Sequence, residues 1–118
     1  MRGGMSVDCV FCKIIAGEIP ADKVYEDEDF LVIRDIKPVA PVHLLVLYKK
    51  HVGKIHQLTE EDRKKLSRVF EVIAKVAEKE GILESGYRVV VNNGPDAGQE
   101  IDHIHFHVIG GKKLGRIA

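Results

Sequence analysis

The sequence has no excess of charge of either sign: 18 lysines and arginines balance 18 aspartates and glutamates over 118 residues, for a formal net charge of zero. A balanced chain exerts no general pull on nucleic acid or an anionic membrane, so neither is expected as a partner. No apolar run approaches the length needed to span a bilayer. Asp8 and Lys13 interrupt the N-terminal stretch where a signal peptide would carry its apolar core, so the expected location is cytoplasmic. Cysteine is scarce, with only Cys9 and Cys12 present. In a reducing compartment a Cys-x-x-Cys pair reads as a metal clip or redox pair rather than a structural disulfide. Low-complexity tracts, repeats and linkers are absent. Residues 1–118 therefore read as one domain, with 1–7 a flexible N-terminus and 110–118 a C-terminal tail.

Local pattern then suggests the elements. Asp8 is placed to cap a short helix over 9–16, with Gly17 to end it. Strands are expected over 23–26 and 30–35, with the acidic turn Asp27-Glu28-Asp29 between them, and a buried strand over 43–48 after the proline-broken segment 37–41. Thr59 and Asp62 form a weak capping box for one long helix that Gly81 stops. Leu66, Val69, Phe70, Ile73, Val76 and Ala77 supply its apolar stripe. A strand over 87–91 and a turn-rich loop over 92–98 lead into the last strand, a hairpin arrangement. The fold class expected is α+β with a mainly antiparallel sheet, one long helix and a short N-terminal helix.

The last strand carries the chemistry. His103-Ile104-His105-Phe106-His107-Val108 places imidazoles at strict alternation with apolar residues. A strand has a side-chain period of two, so the histidines share one face and Ile104, Phe106 and Val108 the other. A helix would separate them. Three chemistries suit such a row. A catalytic metal site would want an additional ligand, and no Asp or Glu follows His107. A neutral imidazole can instead attack phosphorus and form a nucleotidyl-histidine, with its neighbours handling charge and protons. The glycine-rich loop 94–98 offers the close backbone approach an anion needs. The third reading is a surface strand with no chemistry. His56 lacks any such context and reads as a surface-loop residue.

The segment from Gly98 to Ile109 resembles the signature of the histidine triad (HIT) family, His-φ-His-φ-His-φ-φ with φ apolar. Phe11-Cys12-Lys13-Ile14-Ile15, Glu18-Ile19-Pro20, Asp35-Ile36, Pro41-Val42-His43, Lys49-Lys50-His51 and Val91-Asn92 follow the order of its Hint-like branch, so the resemblance spans about 9–111. It implies a homodimer with a sheet continuing across the interface, and a purine nucleotide ligand. It also implies hydrolysis of purine nucleoside 5′-phosphoramidates or aminoacyl-adenylate-like compounds to the nucleoside monophosphate. Carried over by position, His105 is the nucleophile, and His43 and His107 line the phosphate site. Asn92 and the backbone of Gly98, Gln99 and Glu100 hold phosphate or the leaving group. Asp35 takes the ribose hydroxyls, Ile14 and Ile36 lie against the base, and Phe106 completes the nucleotide-binding set. Catalysis requires no cofactor on this reading. A non-catalytic nucleotide-binding protein, a metal-dependent hydrolase using the triad as ligands, and a dinucleoside polyphosphate hydrolase of the same family are the alternatives.

Three features depart from the family pattern. Glu100 stands where animal members carry serine, and a carboxylate beside a phosphate is unfavourable unless protonated, paired or turned away. Asp102 stands where an uncharged residue is usual, and reads as a solvated turn residue or as one that orients an imidazole. The tail lacks the Trp-Pro-Pro-Gly ending of many Hint proteins. The resemblance also implies a structural zinc on Cys9, Cys12, His51 and His103, as in several microbial members. Strict alternation raises a geometric objection, because it puts His103 on the face of His105 while the zinc belongs near the N-terminal helix.

Overall fold

The computed structural model describes residues 9–117. The expected flexible segment 1–7 and the proposed Asp8 cap lie outside them. Five strands form one antiparallel sheet: β1 (Lys23–Glu26), β2 (Phe30–Arg34), β3 (Val42–Tyr48), β4 (Tyr87–Val90) and β5 (His105–Gly110), in the order β1-β2-β3-β5-β4. Three helices pack on it: α1 (Val10–Ile15), α2 (Glu60–Leu66) and α3 (Val69–Lys79). The α+β architecture and the β4–β5 hairpin agree with the sequence pattern. Cys9 caps α1: its Sγ accepts from the Cys12 N–H.

The sheet is covered on both faces, which explains why every residue of β3 is buried. On one face Val42, Leu44, Val46 and Val108 pack beneath Leu66, Val69, Val72, Ile73, Val76 and Ala77 of α2 and α3. On the other, Leu31, Ile33, Leu45 and Leu47 pack beneath Phe11, Cys12 and Ile14 of α1. The functional face is the one that α1 covers only in part.

The expected long helix runs over 60–79, with a turn at Ser67–Arg68, both still in the helical region, dividing it into α2 and α3. Thr59 and Asp62 do make the reciprocal capping box. Gly81 ends α3 at φ +77°, and Ile82 N–H bonds back to the Ala77 carbonyl. One member of the stripe needs correction, and Val72 belongs in it. Phe70 is 68% exposed, whereas Val72 is fully buried. At 3.6 residues per turn Phe70 stands about 100° round from Val69, at the edge of the face that meets the sheet.

Candidate active site

β5 begins at His105, so His103 precedes the strand in a bend; His103 nevertheless keeps the alternation. Ile104, Phe106 and Val108 pack into the core beneath α2 and α3, while the histidines face α1. Phe11 lies edge-on to both His103 and His105, with ring centroids 5.9 and 4.9 Å away. The geometric objection to His103 near the N-terminal helix therefore dissolves, because α1 covers the same face as the row of histidines.

Pairing places the other groups. Leu47 is opposite His105, Leu45 opposite His107 and His43 opposite Ile109, so His43 shares the histidine face. Beside them opens a cleft of about 480 Å³. Its walls are Val10, Phe11 and Ile14 of α1, Ile33, Arg34 and Leu45 of the sheet, and Asp35, Ile36 and Lys37 after β2. Asn92, Gly98, Glu100, Ile101, His105 and His107 close it. Ile36 is 93% exposed and forms an open lip.

The hydrogen bonds assign the imidazole tautomers, since a backbone carbonyl only accepts and a backbone N–H only donates. His105 Nδ1 is 2.7 Å from the His103 carbonyl oxygen, so Nδ1 carries the proton and Nε2 keeps a free lone pair. Burial pushes this ring below the ordinary imidazole range, against the opposing pull of that carbonyl and of Asp35. A neutral ring with a bare Nε2 is the nucleophilic form. His43 Nδ1 accepts from Val39 N–H at 3.2 Å, which leaves the proton on His43 Nε2. That proton is directed at His107 Nδ1, 2.9 Å away, with Asp35 Oδ2 at 3.4 Å as a weaker alternative. His107 is consequently protonated on Nε2, and burial holds it down at about 4. Asp35 Oδ1 accepts from Lys37 N–H.

Asp35, His43 and His107 bring three possible metal donors together, and so do Cys9, Cys12, His51 and His103. The first group is a poor ligand set, because the inward nitrogen of His43 is a donor. The second is a good one. His103 Nε2–H donates to the Tyr48 carbonyl at 2.6 Å, which frees Nδ1 to face the cysteines. That Nδ1 is 3.4 Å from Cys9 Sγ, 3.5 Å from Cys12 Sγ and 3.3 Å from His51 Nδ1, and Cys12 Sγ is 3.2 Å from His51 Nδ1. A tetrahedral zinc with bonds of about 2.0–2.3 Å separates its donors by roughly 3.3–3.8 Å, close to this spacing. Both thiols are free. Burial pushes the Cys9 thiol up to about 11, and a divalent cation would reverse that by stabilising the thiolate.

The remaining predicted residues fall into two sets. Ile14, Asp35, Ile36, Asn92, Gly98, Glu100, His105 and His107 line the cleft, and His43 stands behind His107. Gln99 and Phe106 do not turn their side chains to it. Gln99 is a strut whose Oε1 accepts from Gly94 N–H and whose Nε2 donates to the Gly53 carbonyl. Phe106 packs into the opposite core. Gly94 and Gly98 have φ of +93° and +87°, a backbone that side chains disfavour and that brings Gly98 to the cleft. Asp102 pairs with Lys54 at the surface, as its reading as a solvated turn residue anticipated. His56 is exposed. Sequence reasoning missed Phe11 as a wall residue, although it lies three positions before Ile14 on the same helix face.

A model of the HIT domain matches residues 16–114. This chain belongs to the HIT family. It is 42% identical over 111 residues to the purine nucleoside phosphoramidase of Escherichia coli K12, covering 94% of this chain and 93% of the relative. Among solved HIT structures, a histidine triad protein from Clostridium difficile superposes with a TM-score of 0.91 at 43% identity, covering 97% of this chain and 99% of that one. A HIT family hydrolase from Legionella pneumophila Philadelphia 1 gives 0.87 at 44% identity, covering 92% and 96%. The chain is thus a HIT protein with an antiparallel five-stranded sheet among its described residues. No helix among the described residues is long and apolar enough to cross a membrane.

Proposed function

We propose that this HIT protein hydrolyses the P–N bond of purine nucleoside 5′-phosphoramidates, or the related bond of aminoacyl-adenylate-like compounds, and releases the nucleoside monophosphate. The observation that carries this reading is the 2.7 Å bond from His105 Nδ1 to the His103 carbonyl, which leaves Nε2 free beside the cleft. The name of the E. coli relative supports the same chemistry.

His105 Nε2 attacks phosphorus, and the P–N bond to the amine breaks as the P–N bond to His105 forms. The departing nitrogen takes a proton from the His43–His107 pair. A bound phosphate anion raises that pair's proton affinity, so it enters the reaction protonated. Water then attacks phosphorus and returns a proton to the pair, the bond to His105 breaks, and the monophosphate leaves. Asp35 accepts the ribose hydroxyls, for which a carboxylate is an apt partner. Ile14 and Ile36 hold the purine, while Asn92 and the Gly98–Glu100 backbone face the phosphate or leaving group.

A zinc on Cys9, Cys12, His51 and His103 would be structural, cross-linking α1 to the segments at 51 and 103, with no part in the chemical steps. The reading includes a cytoplasmic homodimer joined through β4, an edge of the sheet where Val89 is 37% exposed. Light scattering of the purified protein tests the dimer.

Adenosine 5′-phosphoramidate hydrolysis with excess chelator, comparing wild type with His105→Ala, tests the activity. AMP release by wild type and none by the variant is the expected result. Equal turnover by both proteins would instead favour a nucleotide-binding role, and activity lost to chelator would favour a metal-dependent hydrolase.

A further inference from the structure

His103 is shared by two groups of side chains that serve different ends. Its ring is wholly buried, with Nε2–H on the Tyr48 carbonyl and Nδ1 against His51, Cys9 and Cys12. Its own backbone carbonyl is the acceptor that fixes His105 Nδ1–H. The same cluster anchors α1, because Cys9 caps it and Cys12 lies within it. Phe11, between the two cysteines, rests edge-on against both His103 and His105.

We propose that the cysteine–histidine cluster is a positioning device for the nucleophile, with His103 as the joint between them. This rests on the reading of His105 as the attacking group. With the cluster intact, the His103 ring is held from several sides and its carbonyl points one way. His105 is then held as the Nδ1–H tautomer, with Nε2 aimed into the cleft. Opening the cluster leaves the His103 ring with little more than its Tyr48 bond. Its peptide is then free to turn, and His105 gains access to the Nε2–H tautomer, which has no lone pair to offer phosphorus. Asp35 and Ile36 come from the loop after β2, outside the cluster, and loss of His51 leaves Cys9 capping α1 and so Ile14 in place, so nucleotide affinity stays near its original value. Misplacement of a reacting group by about 1 Å can cost 10²-fold in rate.

His51→Ala tests the coupling, because His51 is a half-buried cluster member that does not line the cleft. The measurements are kcat and KM for adenosine 5′-phosphoramidate and the ¹⁵N–¹H ring correlations of His105 without ligand. The expected result is kcat lower by about tenfold or more with KM within about twofold, and a weakened or shifted Nδ1–H correlation. A merely structural role would not move the ring signal of a variant that keeps its fold. His51→Asn, which fills the space with a neutral amide, is measured in parallel, and the variant retaining wild-type near-ultraviolet dichroism decides. Unchanged kcat and an unchanged His105 signal in that variant would overturn the proposal. Absence of phosphoramidate turnover by wild type would sink the proposed function instead, and the ring signal would still report whether the cluster holds His105.

Discussion

His43 and His107 come from different strands, yet their rings meet head to tail, with His43 Nε2 2.9 Å from His107 Nδ1. The Val39 N–H behind His43 sets the direction of donation, so the outer nitrogen of His107 carries its hydrogen toward the cleft. A backbone amide thus fixes the protonation pattern of two side chains at once.

Removing the inner ring should cost catalysis more than binding. In His43→Ala, His107 Nδ1 loses its donor and the ring is free to reverse its tautomer. A positioned acid or base is worth about 10²–10⁴-fold, and we expect a loss of kcat near the lower end of that range. Single-turnover release of AMP, set beside AMP affinity, measures the split; a loss confined to affinity would contradict the assignment.

Nucleotide binding should draw a proton into the site. Burial keeps His107 at about 4 in the free protein, so its ring is uncharged at neutral pH. A phosphate anion beside it favours the protonated form. Titration calorimetry of AMP near neutral pH, in buffers of differing ionisation enthalpy, should report net proton uptake. Heats independent of buffer would argue against proton storage on the pair.

The same buried ring should leave a signature in stability. Burial is the main cause of the lowered His107 value, the charges of His105 and His43 add to it, and Asp35 opposes it. In the unfolded chain an imidazole titrates at about 6.5. Between there and about 4 the unfolded chain binds the additional proton, so stability rises with pH in that window. The contribution is complete above the unfolded value and disappears as pH falls through the folded one. Urea midpoints should therefore drop from about pH 7.5 to about pH 4.5, and drop less in His107→Asn. Equal drops in the two proteins would remove His107 from the account.

Asp62 should matter for stability and not for the reaction. It is buried, closes the capping box with Thr59, and accepts from the Tyr48 hydroxyl at 2.8 Å and from Lys50. Asp62→Ala removes the capping-box acceptor for the Thr59 N–H and leaves a buried hydroxyl without its partner, costing about 2–4 kcal/mol. Denaturant unfolding measures that loss, and the residual folded protein should bind AMP with wild-type affinity.

Much of this was legible in short stretches of sequence, because the relevant geometry is local. Alternation from His103 to Val108 gave the right side for each residue, although the ladder itself starts two residues later. The stripe of α3 was readable in its centre and misread at its rim. Phe70 and Val72 flank the same face, and only the seating of the helix on the sheet decides which is covered. The long helix over 60–79 was legible from its periodicity, which runs on across the turn at Ser67–Arg68.

By itself the sequence determined the fold class, the row of histidines on one strand face and the turn glycines, all of which follow from the strand period and allowed backbone angles. Only the tertiary structure decided the protonation of those histidines and the spacing at which Cys9, Cys12, His51 and His103, the set the family resemblance names, come together. Tautomers depend on which carbonyl or amide faces each ring, and the cluster joins side chains 39 to 94 positions apart. Such contacts come from the packing of α1 and the loops onto one sheet face, which no local pattern encodes.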